Sequence, residues 1–144
     1  MRVSGLLGDQ VLVTGPSPLG WATAGTASEE PIFRAPFKLT VTGVWFVAGA
    51  ALDGTATNFA TLSVVNKGLA GAGTTAVASL AIDTATTDAL ADGVAKIIPV
   101  SATLADLEID AGEILVMKKA VDGTGAVIAV GGVFIVHYRA GQSV

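Results

Sequence analysis

The sequence predicts an all-β protein, an antiparallel β-sandwich of jelly-roll type with an extended N-terminal arm. Three observations carry this. Several short runs alternate β-branched or aromatic residues with polar ones at period two, the pattern of a strand with one buried face. Turn signals separate those runs: Asp53-Gly54, Lys67-Gly68, Asp92-Gly93, Asp110-Ala111-Gly112 and Asp122-Gly123. Helix is plausible only over Thr84–Leu90 or Ala102–Leu107, and each would be short. Roughly eight short strands with few helices fit two packed sheets.

The elements follow in order. Residues 1–30 read as an arm, rich in Gly and Pro, with Gln10–Thr14 its one strand-like run. Leu6, Leu7, Val11, Leu12, Leu19 and Trp21 are costly to leave in water, so they are expected to contact a neighbouring subunit or a larger partner. Residues 31–144 are expected to form the sandwich. Phe37–Val47 alternates across Gly43, which marks a bulge or bend. Trp45 and Phe46 then point to opposite faces, one to the core and one outward. Thr61–Asn66, Thr75–Ile82, Lys96–Ser101, Glu113–Ala120 and Val127–Tyr138 supply further strands. Asp122-Gly123, between two apolar runs, is the strongest hairpin signal.

Composition excludes whole classes of function. The chain has 144 residues, no Cys and one His. Disulfide scaffolds, thiolate metal sites and cysteine nucleophiles are therefore impossible. Eight basic residues against twelve acidic ones argue against nucleic acid as a partner, because phosphate contacts need clustered Lys and Arg. No apolar run reaches the roughly 20 residues of a spanning helix, so no membrane partner is expected. Charged residues make up only 14% of the chain, against roughly 25% in an average domain. That is sparse for a monomer's surface, and it predicts that sister subunits or a partner cover part of it.

The motif search yields no catalytic, cofactor or metal residues. Gly68-Leu-Ala-Gly71-Ala-Gly73-Thr74-Thr75 has phosphate-loop spacing but Thr74 stands where the Lys belongs, and a strand rather than a helix follows. It reads as a hairpin loop. His137 is single, falls with Val133 and Ile135 on one strand face, and meets no G-x-S-x-G elbow. Asp53-Gly-Thr-Ala-Thr-Asn58 lacks the carboxylate density of a calcium loop. Glu108, Asp110 and Glu113 offer carboxylates, but nothing selects an acid–base pair. No enzyme activity is expected.

The runs Ile32-Phe33-Arg34-Ala35-Pro36-Phe37, Val41-Thr-Gly43-Val44-Trp45-Phe46-Val47, Leu62-Ser-Val64-Val65-Asn66-Lys67-Gly68, Ile109-Asp110-Ala-Gly112-Glu113-Ile-Leu115 and Gly123-Thr-Gly125 form a pattern along Pro31–Tyr138. Together they resemble the capsid decoration, or cement, proteins of tailed bacteriophages. The resemblance implies a homotrimer on the capsid exterior that clamps the major capsid protein. It implies synthesis in the host cytoplasm and no catalytic residues. A tail or spike module binding a host receptor or glycan would use the same sandwich and is the alternative.

Overall fold

The computed structural model describes residues 8–17, 19–84 and 87–141. Among these described residues, nine strands form two antiparallel sheets. They are β1 (Gln10–Val13), β2 (Ser28–Arg34), β3 (Leu39–Val47), β4 (Phe59–Asn66), β5 (Thr75–Ala81), β6 (Ala95–Ile97), β7 (Glu108–Ile109), β8 (Ile114–Asp122) and β9 (Val133–Ala140). The first sheet runs β1-β9-β3-β6, with β7 also on β3, and the second runs β2-β8-β4-β5. This is the jelly-roll order. The chain forms one long antiparallel ribbon, β1–β4 against β5–β9, wrapped so that the paired segments β1–β9, β2–β8, β3–β6 and β4–β5 fall in alternate sheets. The tip of the ribbon is the β4–β5 turn, which is the Gly-rich stretch 68–75.

Parity decides what is buried. On β9, Phe134 and Val136 face the core, while Val133, Ile135 and His137 face out. On β4 the inward set is Ala60, Leu62 and Val64. Phe46, Phe134, Leu39, Leu115, Met117 and Ile98 complete the centre of one continuous core. Gly43 is a bulge, where the β3–β9 register shifts between Val41 and Gly43. A Cβ there would lie 2.5 Å from the Trp45 ring, so glycine lets that indole lie flat on the strand. Phe46 is fully buried and Trp45 sits on the outside. The short helix is α1 (Leu104–Leu107), the second of the two expected places.

Asp122-Gly123 does not make a hairpin, contrary to expectation. β8 pairs with β2 and β4, whereas β9 pairs with β1 and β3 in the other sheet. The turn chemistry is real, since Gly123 and Gly125 both have positive φ. It reverses the chain between sheets, because Ala126–Ala129 leaves strand geometry and drops Ile128 into the core.

The described part of residues 1–30 belongs to both sheets. β1 pairs with β9 and β2 pairs with β8. Between them a strap crosses from sheet to sheet, including a 3-10 turn at Leu19–Ala22. Trp21 inserts from this strap and is fully buried, packed on Phe46 (6.3 Å between ring centres) and edge-on to Phe134 (6.2 Å). The Trp21 carbonyl accepts from Ile128 N (2.9 Å) and from Lys119 Nζ (2.9 Å), and the Thr23 carbonyl accepts from the same ammonium (2.7 Å). Ser17 Oγ donates to the Ala129 carbonyl and accepts from Gly132 N, both at 3.0 Å.

Lys119 is fully buried, and its described partners are those two carbonyls. Burial lowers its pKa from 10.5. The unfolded chain therefore holds this proton to higher pH than the folded one. Stability contributed through Lys119 should rise as pH climbs from the folded value toward 10.5. In urea unfolding at a series of alkaline pH values, the stability of the natural chain relative to Lys119→Met should increase with pH. Trp21→Ala should cost about 3–5 kcal/mol, as expected for truncating a buried Trp, with a matching fall in denaturation midpoint.

Candidate interaction surface

The two outer faces of the sandwich differ in chemistry. On the second sheet, Glu29 lies opposite Lys118 in register and bridges Lys118 (3.1 Å) and Lys67 (3.0 Å). Those ammonium donors hold the Glu29 carboxyl below its ordinary pKa. Val65 and Val116 pair beside this charged cluster and are themselves buried.

The outer face of the first sheet is apolar across four strands. Register places Val13 beside Ile135, Ile135 beside Trp45, and Trp45 beside Ile97, one row from edge to edge. A second row joins Val133, Val47 and Ala95. A third joins Val11, His137 and Gly43. Val11 is 55% exposed, Val13 57% and Ile97 64%. The His137 ring lies 4.5 Å from that of Trp45. At the margin Arg139 Nε donates to Asp9 Oδ1 (2.7 Å), which lowers the Asp9 pKa and raises that of Arg139.

Of the contact residues expected from sequence, Val11 stands on this face. Leu12, one residue on, points inward and packs against the core. Trp21 is a core residue with no exposed surface. The cost of leaving its indole in water is met within the chain, by Phe46 and Phe134. Leu6 and Leu7 lie outside the described residues, and for Leu19 only the backbone is described, in the 3-10 turn. Sequence reasoning missed Val13, Val47 and Ile97. The available signal was apolar residues of both parities in Val44–Val47 and Val133–Val136, where a half-exposed strand normally alternates with polar residues.

The carboxylates flagged in the sequence have structural partners. Lys38 Nζ bridges Glu108 (3.2 Å) and Asp110 (3.3 Å). Glu113 Oε2 accepts from Asn66 Nδ2 (2.7 Å) and from Asp110 N (2.9 Å), tying the β7–β8 turn to the base of the β4–β5 hairpin. Asn58 Oδ1 accepts from Thr124 N (2.9 Å). An open groove beside β5 is lined by Ala78, Ser79, Pro99 and Ser101, and its one carboxylate, Asp106, accepts from Ser101 Oγ (2.7 Å). Among the described residues no three His, Asp or Glu side chains are placed to hold a metal, and no helix is long and apolar enough to cross a membrane.

No protein-family model and no curated protein matches the chain. Among solved structures, it is similar to a chain in the structure of infectious bursal disease virus, Gx strain, at 11% identity and a TM-score of 0.29. The match covers 94% of this chain and 37% of the viral one, so this chain spans little more than a third of that chain's length. A TM-score of that size carries no argument, and the jelly-roll assignment rests on strand order.

Val13→Lys combined with Ile97→Lys should leave unfolding stability within about 0.5 kcal/mol per site, as for ordinary surface changes. The same pair should sharply reduce binding of an apolar fluorescent dye such as ANS, because it divides the central row at both ends.

Proposed function

We propose that this chain is a structural virion protein that binds the outer surface of a tailed-phage capsid as a homotrimer and stabilises the shell. The observation that supports the reading best is the bare apolar face of the first sheet. A contiguous apolar patch beside a well-charged opposite face is the arrangement of a docking surface. Its partners are sister subunits and the major capsid protein, with no nucleic acid, membrane or cofactor and no enzymatic step.

The physics suits the role. A cement protein gains hold from area and symmetry rather than from a deep pocket. Three joined copies raise one another's effective concentration at the shell, so weak single contacts become a firm attachment. The shell is loaded from inside by packaged DNA, and rigid β-sandwiches bridging coat subunits on its exterior oppose that load. The protein is made in the host cytoplasm and ends on the particle.

Cryo-electron microscopy of source virions decides among the readings. Density for this jelly roll at three-fold positions outside the shell is the expected result. Density on the tail transfers the chain to the receptor- or glycan-binding alternative, and absence from the particle ends the virion reading. In reconstitution with purified capsids, Trp45→Ser with Ile97→Lys should weaken binding at least tenfold.

A further inference from the structure

A sandwich of two open sheets has four edge strands, each a row of main-chain donors and acceptors that invites pairing unless it is guarded. Three are guarded here. β2 carries Pro31, Glu29 and Arg34, with a register shift between Pro31 and Phe33. β5 is covered by the segment after β6, where Ser79 N donates to the Pro99 carbonyl (3.0 Å) and Ser101 N to the Val77 carbonyl (2.9 Å). β6 is three residues long with Lys96 at its centre. β1, Gln-Val-Leu-Val, has no proline, no charge and no bulge, and its described strand partner is β9 alone.

The direction of its free groups follows from one hydrogen bond. Thr14 N donates to the Phe134 carbonyl (3.0 Å) across the β1–β9 ladder. By alternation Leu12 and Gln10 also turn their main-chain groups to β9. The N–H and C=O of Val11 and Val13 therefore face the open edge, while their side chains lie on the apolar outer face.

We propose that β1 pairs antiparallel with β1 of a second copy across a two-fold axis at Leu12, with Val11 opposite Val13 of the other copy. A second copy is the occupant because β1 is the unguarded one of these four described edges, and paired with its own copy it gives a contact that closes on itself. The charges permit it. Gln10 falls opposite Thr14, and Asp9 is already neutralised by Arg139. The pair joins two five-stranded first sheets into one continuous ten-stranded sheet and two apolar faces into one. The contact stands apart from the virion reading, since absence of the chain from particles would not affect it.

Proline substitution separates edge from face. Val13→Pro removes a donor that the β1–β9 ladder does not use and keeps the position apolar, as proline on an edge strand can. By light scattering at tens of micromolar, the natural chain should have twice the mass of Val13→Pro, which should still unfold cooperatively and melt no higher than the natural chain. The chain has no native cysteine, so Val11→Cys and Val13→Cys chains report the register. Mild oxidation should join their mixture by a disulfide in higher yield than either alone, because only the opposed pair lies within disulfide reach. A monomeric or purely trimeric natural chain overturns the proposal, as does a mass unchanged in a folded Val13→Pro. Should Val13→Pro not fold, the cross-linking decides, and equal yields from mixed and single chains overturn it.

Discussion

Trp21 is the residue through which the two sheets and the crossings between them are held in one arrangement. Its ring packs on Phe46 and Phe134 of the first sheet. Its carbonyl is bound by Lys119 of the second sheet and by Ile128 of the β8–β9 crossing. A strap between sheets cannot bond to either ladder, so its polar groups need other partners. Lys119 supplies two of those bonds at the cost of a buried cation.

Much of the fold was legible because inward and outward residues alternate along strands such as β9. Phe134 and Val136 against Ile135 and His137 follow from period two alone, whereas period two sets Phe46 opposite Trp45 without saying which is buried, and the register shift before Gly43 decides it. The bulge at Gly43 was legible because glycine inside an alternating run has few other meanings. The strand β2 was only half visible, since Ser28-Glu29-Glu30 carries no apolar signal and is held by cross-strand pairing with Lys118 and Met117. The Asp122-Gly123 turn misled because turn residues report a reversal of the chain and not which sheet receives it. The place of Trp21 was illegible for the same reason: nothing local distinguishes an indole buried in its own core from one reaching for a neighbour. Of the candidate surface, Val11 was foreseen, but the rows joining it to Ile97 exist only once register brings β1, β9, β3 and β6 side by side.

The contrast between the outer faces comes from where the charges went. Glu29, Lys67 and Lys118 gather on one sheet, so a chain with few charges spends them unevenly. Long charged side chains can shield apolar neighbours with their methylene stems, and Val65 and Val116 are buried beside them. The other face has no such cover. What looked in the composition like a general shortage of charge is a shortage confined to one side.

The wrapped ribbon also sets an order of assembly. β4 and β5 close a turn of a few residues, whereas β1 must find β9 almost a whole chain length away, and the entropy of closure grows with that separation. The tip of the ribbon is the cheapest nucleus and the two ends of the chain meet last. On a ribosome, β1 emerges before the other described strands and lacks its full ladder until Tyr138 has been made. For that interval its four uncharged residues are unpaired on both edges, and the strand most open to a sister chain in the finished molecule is also the one that waits longest for its own.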